Sequence, residues 1–383
     1  MRLLHTGDLH LDSAFCAYGQ RGAEQQREAG RDTLRRIFEC AESERCDMIL
    51  IAGDLFDGRF VSPATEELFC ELVENANIPV VLSPGNHDWY TEGGIYSRLA
   101  AKLSDKLILF SSSELQMFEL DALRVRVFGY AFGSAVLSHS PLSDANIPED
   151  NGYLKIFCGH ADLSSPVSRY APVTLGEIER CGFDYAALGH IHNRGEQEDS
   201  RGRVRYCGFC EGRSFDELGE GGVWIVELDG GECRAERRIL AQKSFYICET
   251  DVSSCADTNA IVDVVRAEAA RYSDVVGAHL RIYLCGRASE GAVSYVLSRA
   301  DAIAKSAGIA YLELVDETLP LLDGDYLERD TTLRGELYRT LLPKLTSENA
   351  DERRLASRAL RIGLAAIDGR SVFGADERDG GEI

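Results

Sequence analysis

Five short apolar runs in the first 190 residues are each followed, at once or within three residues, by a glycine and then by Asp, Asn or His. Compact runs of this kind are typical of strands that are buried on both faces of a sheet. The five polar signatures are GDLH (7–10), GDLFD (53–57), GNHD (85–88), GH (159–160) and GHIH (189–192). Ligands of α/β proteins gather outside the carboxyl ends of the strands, so the pattern predicts an α/β fold in which these polar side chains meet.

The stretches between these runs indicate helices and additional strands. Residues 31–44 and 63–76 have the apolar spacing of helices. Residues 123–130 resemble an antiparallel strand, and residues 221–240 resemble a hairpin that turns at an Asp-Gly-Gly sequence. Together these patterns predict a layered α/β sandwich with mixed sheets over residues 1–240.

The remainder of the chain predicts a smaller domain and a helical segment. Residues 245–320 alternate between strand and helix patterns, with one continuous helix expected over about 291–307, and this indicates a compact α+β domain. Residues 330–370 have helical spacing interrupted near 346–351. The acidic tail, 371–383, is expected to be disordered.

The polar signatures supply a set of oxygen and nitrogen donors. A single Gly-Asp or Gly-His at a strand end usually marks only a turn, but five in succession, with five of the chain's eight histidines among them, favour a metal site. Mixed carboxylate, amide and imidazole donors suit manganese, iron or zinc, and the number of donors fits two ions better than one. The candidate ligands are Asp8, His10, Asp54, Asn86, His160, His190 and His192.

The chain resembles the calcineurin-like metallophosphoesterase superfamily. The order GDLHLD, AGDLFD, PGNHD, GH and GHIH is close to that of the DNA-repair exonuclease branch, typified by the bacterial SbcD nuclease subunit. The resemblance implies that residues 245–320 are a capping domain. It also implies two metal positions, one held by Asp8, His10 and His192, the other by Asn86, His160 and His190, with Asp54 bridging them.

The resemblance further assigns roles to residues beside the ligands. His87 would face the scissile phosphate without binding metal. Apart from the resemblance, Asp88 is predicted as a second catalytic residue that orients His87, with capping of the next helix as the alternative. Archaeal and eukaryotic relatives have a histidine that assists exonuclease action three residues beyond the bridging aspartate, where this chain has Asp57. The order Asp57-Gly58-Arg59 also differs from the Asp-Arg-Gly order of the superfamily's protein phosphatases.

These features predict a hydrolase that uses two divalent metal ions, with manganese favoured, to cleave DNA phosphodiester bonds as an SbcD-like repair nuclease. A phosphoesterase acting on a small nucleotide or a phosphoprotein is the alternative. A non-catalytic scaffold is a weaker third interpretation, because the ligands and His87 are all present.

The charge of the chain bears on how DNA would be held. A net charge of −22 is unusual for a protein that grips nucleic acid unaided. A local basic patch, the metals or a partner must therefore hold the substrate. The helices of residues 330–370 either pack on the capping domain or dock the coiled-coil root of an SbcC-like ATPase, and a homodimer is left open.

The cysteines and the hydropathy pattern indicate the cellular compartment of the protein. Twelve cysteines without regular spacing, including those of CGFC (207–210), are interpreted as reduced structural thiols. The chain shows no apolar stretch long enough to span a membrane and no leader pattern. We therefore expect a cytoplasmic protein without a membrane partner.

Overall fold

The computed structural model describes residues 1–15, 19–58, 60–103, 106–148, 152–192, 199, 201–321 and 324–369. Arg59 and the predicted acidic tail lie outside these residues. The chain divides into two compact units, Met1–Ser244 and Phe245–Ile383.

The first unit contains eleven of the described strands and four of the described helices. The strands are β1 (Arg2–Thr6), β2 (Met48–Ile51), β3 (Val80–Leu82), β4 (Leu107–Leu109), β5 (Gln116–Leu120), β6 (Val125–Gly129), β7 (Leu154–His160), β8 (Tyr185–Gly189), β9 (Val204–Tyr206), β10 (Gly222–Asp229) and β11 (Glu232–Ile239). The helices are α1 (Gly19–Ser43), α2 (Pro63–Asn75), α3 (Ile95–Lys102) and α4 (Leu175–Cys181).

Two sheets form the centre of this unit. The six-stranded sheet has the order β11-β10-β1-β2-β3-β4, in which β1 to β4 are parallel and β10 and β11 form an antiparallel hairpin. The five-stranded sheet has the order β5-β6-β7-β8-β9, in which only β5 is antiparallel to its neighbour. The predicted layered α/β architecture with mixed sheets is confirmed.

Strand β2 shows how the layers pack. Ile49 and Ile51 share a buried cluster with Leu34 of α1, whereas Met48 and Leu50 lie in a second cluster with residues from the five-stranded sheet. Each fully buried aliphatic side chain of this size contributes about 1.5–3 kcal/mol. A strand covered on both faces reads as a continuous apolar run, which explains why the sequence predicted it.

Helix α2 is fixed to the loop that follows β1. Ser62 caps the helix by accepting a hydrogen bond from the backbone N–H of Thr65, and Pro63 occupies the first turn. The carboxylate of Asp12 accepts from the backbone N–H of Ser62 at 2.7 Å and from the hydroxyl of Thr65 at 2.9 Å. Asp12 therefore anchors the first polar loop to the start of the helix.

Helix α1 begins at Gly19 and not at the predicted residue 31. The extra residues are mostly polar and lack apolar spacing. Arg31 forms ion pairs with Glu24 at 2.8 Å and with Glu28 at 2.6 Å, so contacts between neighbouring turns help to hold this part of the helix.

The second unit contains strands β12 (Ser244–Asp251), β13 (Ala278–Cys285), β14 (Arg287–Ala288), β15 (Tyr311–Asp316) and β16 (Leu319–Pro320). Its helices are α5 (Thr258–Ala270), α6 (Glu290–Leu297), α7 (Ala300–Ala307), α8 (Gly324–Arg329), α9 (Leu333–Leu345) and α10 (Ala350–Ile367). A three-stranded sheet has the order β12-β13-β15, and β14 pairs with β16. Among the described residues, no helix is both long and apolar enough to cross a membrane.

The continuous helix expected over about 291–307 is in fact two helices, α6 and α7. Arg299 separates them with φ −104° and ψ 5°, outside the helical region. Val293 and Val296 of α6 and Ile303 of α7 nevertheless belong to one buried cluster, which covers one face of the three-stranded sheet. The apolar spacing predicted helical structure here but not the break.

Candidate metal centre

The polar loops converge because the strands before them are neighbours. β1, β2 and β3 are adjacent in one sheet, and β7 and β8 are adjacent in the other. Hydrogen bonds continue between the first two loops, from the backbone N–H of Asp8 to the carbonyl of Gly53 at 3.0 Å and from that of His10 to the carbonyl of Asp54 at 2.9 Å. The loops are thus held in register beyond the strand ends.

Two glycines permit the close approach of these loops. Gly53 has φ +88°, and a Cβ there would overlap the ring of His160. A Cβ on Gly85 would overlap the carboxylate of Asp54. These positions therefore require glycine, which explains part of the Gly-polar pattern in the sequence.

Four candidate ligands have backbone conformations that non-glycine residues seldom adopt. They are Asp8 (φ 51°), His10 (φ 45°), Asp54 (φ 48°) and His190 (φ 101°). Such strain, although milder for Asp and His than for bulkier residues, clusters at functional sites. The unusual backbone conformations and the candidate ligand side chains thus occur in the same loops.

The structure brings all seven candidate ligands together. One donor atom from each of Asp8, His10 and His192 lies within 4.8 Å of the others, and the same holds for Asp8, Asp54 and His160. Asn86 Oδ1 is 2.9 Å from His160 Nε2. The ring of His190 is 5.1 Å from that of His160, centroid to centroid.

The donors fit a bound cation. His10 Nδ1 donates to Asp57 Oδ1 at 2.9 Å, while His10 Nε2 is buried without a hydrogen-bond partner. A buried polar atom without a partner destabilises a protein, but an imidazole nitrogen whose other nitrogen donates to a carboxylate is a typical metal ligand. His10 Nε2 is 3.7 Å from Asp54 Oδ2, the predicted bridging ligand.

The charges in the site shift the pKa values of its members. Burial disfavours the charged ring of His160, but the carboxylates of Asp54 and Asp8 outweigh it and raise the pKa of His160 to about 9. Burial would raise the pKa of Asp54, yet His160 and His10 hold it well below its usual range. Burial and the neighbouring His160 lower the pKa of His190 to about 4. The carboxylates and imidazoles thus form one coupled group.

His87 lies at the rim of this group, with 47% of its side chain exposed. Its Nδ1 is 3.5 Å from Asp57 Oδ1, and this contact raises the pKa of His87. One donor atom from each of His87, His10 and Asp54 also lies within 4.8 Å of the others. Asp57 therefore contacts both a candidate ligand and the predicted catalytic histidine.

Asp88 lies differently from the predicted arrangement. Its carboxylate is fully buried and accepts from the backbone N–H of Phe56 at 3.0 Å, from that of Gly85 at 2.8 Å and from the hydroxyl of Tyr96. These contacts fix the loops after β2 and β3, and it is Asp57 that faces the ring of His87. We therefore assign Asp88 to loop positioning in place of the predicted catalytic role.

Sequence reasoning missed Glu217 and Arg213. His192 Nδ1 donates to Glu217 Oε1 at 2.8 Å, and Arg213 Nε donates to the same oxygen at 2.9 Å. No periodic pattern marks the irregular segment that carries them. In the nearby CGFC motif, Cys207 and Cys210 are buried free thiols, and burial raises the pKa of Cys210 to about 12.

Comparison with known proteins identifies the protein family to which the chain belongs. The family model for calcineurin-like phosphoesterases matches residues 1–194, and the chain belongs to this family. This family consists of metal-dependent hydrolases that use a pair of divalent metal ions.

Two curated relatives extend this comparison. The chain is 27% identical over 279 residues to the uncharacterized metallophosphoesterase YhaO of Bacillus subtilis (strain 168), covering 69% of this chain and 66% of YhaO. It is 25% identical over 261 residues to the SbcD component of the nuclease SbcCD of Staphylococcus epidermidis, covering 61% and 67%. The chain thus spans about two thirds of the length of these relatives. A dimetal phosphatase from Danio rerio is 12% identical with a TM-score of 0.39, over 63% of this chain and 96% of that one.

Proposed function

We propose that the chain is a two-metal phosphodiesterase that hydrolyses DNA, with manganese as the favoured metal. The observation that carries this proposal is the convergence of seven oxygen and nitrogen donors beside a half-exposed histidine, His87. The similarity to a component of the nuclease SbcCD supports DNA as the substrate class.

In this proposal Asp8, His10 and His192 would hold one ion, Asn86, His160 and His190 would hold the other, and Asp54 would be shared by both. A pair of divalent ions supplies an activated water and stabilises charge on the phosphate and the leaving oxygen. His87 contributes a hydrogen bond or a proton to the phosphate or the leaving oxygen through Nε2, since its Nδ1 is directed at Asp57.

A pocket of about 400 Å³ adjoins these residues and supports a nucleotide substrate. It is lined by Asp57, Gly58, Asn86, His87, Trp89, Ala135 and Tyr170. Nucleobases stack on aromatic side chains with little regard to sequence, and Trp89 and Tyr170 offer such surfaces beside the histidine.

A small nucleotide is the second candidate substrate. The net charge of −22 disfavours extended contact with a DNA backbone, and the pocket is at the small end of the range for ligand sites. The pocket would accept a mononucleotide and the end of a DNA strand in the same way.

A coiled-coil ATPase partner would supply a basic surface for DNA. Leu333 at the start of α9 and Leu355 in α10 are 69% and 71% exposed. We propose that these helices dock the partner. The double variant Leu333→Asp with Leu355→Asp should keep hydrolysis of a short oligonucleotide but lose ATPase-dependent degradation of long DNA, and retention of both activities would exclude this docking surface.

The substrate test compares single-stranded DNA, duplex DNA, a cyclic mononucleotide and bis(p-nitrophenyl) phosphate, each with manganese, magnesium and zinc. DNA hydrolysis that exceeds nucleotide hydrolysis and is absent from an identically purified Asp54→Ala protein would support the nuclease. Turnover confined to the mononucleotide would favour the second candidate. Activity of the same size in the Asp54→Ala preparation would reveal a contaminating nuclease.

A further inference from the structure

The two imidazoles assigned to the first metal position are each held by a carboxylate. Besides accepting from His192, the carboxylate of Glu217 accepts from the backbone N–H of Arg213 at 2.9 Å and from its guanidinium. Glu217 is only 4% exposed, so these contacts leave it a single orientation. With Nδ1 committed to Glu217, His192 presents Nε2 toward Asp8, whose Oδ1 is 3.9 Å away.

The same arrangement recurs at the other histidine of this position. His10 Nδ1 donates to Asp57 Oδ1 at 2.9 Å and leaves Nε2 inside the site without a partner. A carboxylate behind a ligating imidazole fixes its tautomer and its orientation and raises its basicity. Both effects strengthen binding of a cation.

The second position has different support. His160 Nδ1 donates to the backbone carbonyl of Ala52 at 3.1 Å. The carboxylates near its ring, Asp8 at 3.6 Å and Asp54 at 3.3 Å, are themselves assigned as metal ligands, so neither is an outer support like Glu217. The side chain of Asn86 is neutral. The His190 ring lies against the rings of His160 and Tyr170. A neutral carbonyl raises imidazole basicity less than a carboxylate does, because it adds no negative charge.

We propose that Glu217 is a positioning residue for His192, and that the metal position of Asp8, His10 and His192 therefore binds its ion more tightly than the position of Asn86, His160 and His190. The inference rests on the metal-site assignment in the proposed function. Arg213 donates to Glu217 through both Nε and Nη2 and so helps to hold the carboxylate in place behind His192.

The test is a manganese titration of the metal-free protein by calorimetry, with bound ions counted by electron paramagnetic resonance. The wild-type protein should bind two ions with separable affinities. Glu217→Gln, which keeps the shape and an acceptor oxygen but removes the charge, should weaken the tighter constant about 10- to 100-fold and leave the weaker one unchanged. Asn86→Ala should weaken only the weaker constant.

Asp216→Asn is the matched control, since it makes the same change at the neighbouring exposed residue and should alter neither constant. If Glu217→Gln does not fold, Glu217→Asp, which withdraws the carboxylate by one methylene, gives the same readout. If Glu217 had a purely structural role, Glu217→Gln would lower thermal stability but would not affect one manganese binding constant more than the other.

Equal affinities in the wild type, an unchanged tighter constant in Glu217→Gln, or equal weakening of both constants would overturn the inference. Failure of the proposed function would give different experimental results from failure of this inference. If the wild type bound no manganese, the metal site itself would be wrong. If it bound two ions as described but cleaved no DNA, only the substrate assignment would fail.

Discussion

The two units handle unusual backbone conformations in different ways. Among the described residues of the second unit, every residue with positive φ is a glycine: Gly277, Gly286, Gly308 and Gly369. The described part of the first unit has nine residues with positive φ that are not glycine, and four of them are candidate metal ligands. Both units are built from strands and helices, so the difference does not follow from secondary structure.

The comparison shows what the first unit gives up in stability. A non-glycine residue in the left-handed region costs on the order of 1–3 kcal/mol, and glycine would remove that cost. Asp8, His10 and Asp54 remain because their side chains are needed where the loops meet. All the clusters of possible metal ligands in the described part of the chain lie in the first unit.

The largest effect is expected for Asp54→Ala. Asp54 contacts His10 and His160, which belong to different metal positions, so its loss should abolish hydrolysis and reduce metal content more than Asn86→Ala does. Metal analysis and activity of the two variants, measured side by side, test this. Full retention of two ions in Asp54→Ala would contradict the bridging role.

His87→Ala should retain both metals and lower turnover by about 10²- to 10⁴-fold, the usual effect of losing a proton or hydrogen-bond donor. His139→Ala, which removes an exposed histidine of the same unit, is the control and should be unchanged. Metal analysis accompanies the kinetics. A fall in metal content in His87→Ala would identify His87 as a ligand instead.

Trp89→Ala should weaken transition-state binding of oligonucleotides by about 1–3 kcal/mol, the usual contribution of one stacked base. Trp89→Phe keeps an aromatic ring and should recover most of the loss. The measured quantity is kcat/KM on an oligonucleotide with and without a base at the cleaved end. An equal loss on the abasic substrate would show that Trp89 acts on folding and not on stacking.

The smallest effect concerns backbone strain directly. With a chelator present, Asp54→Gly should be about 1 kcal/mol more stable than Asp54→Ala in urea unfolding, because glycine accepts φ 48° without strain. In helix α5 of the second unit the order should reverse, with Asp263→Gly about 1 kcal/mol less stable than Asp263→Ala. If the same variant, glycine or alanine, were the more stable one at both positions, backbone strain would not distinguish the two units.

The strands and the ligand set could be predicted because their signals are local. Strand β2 reads as MILI and is followed, one residue later, by the Gly-Asp pair that supplies Asp54. Adjacent parallel strands then place such residues together, and the structure does bring the seven donors into one site.

Long-range contacts and loop orientation could not be predicted in the same way. Glu217 reaches His192 only because an irregular segment folds back onto the site. Asp88 follows His87 in the chain, yet its carboxylate turns toward Gly85 and Tyr96. The first turns of α1 were missed because Glu24 and Glu28 stabilise them through Arg31, without an apolar pattern.

The most direct test of the two-metal nuclease is to add manganese stepwise to the metal-free protein while measuring bound ions and cleavage of single-stranded DNA in the same samples. The account predicts two ions per chain at saturation, with hydrolysis rising as the second ion binds and vanishing on chelation. Full hydrolysis with one ion or none, or two bound ions without hydrolysis of any phosphodiester, would contradict it.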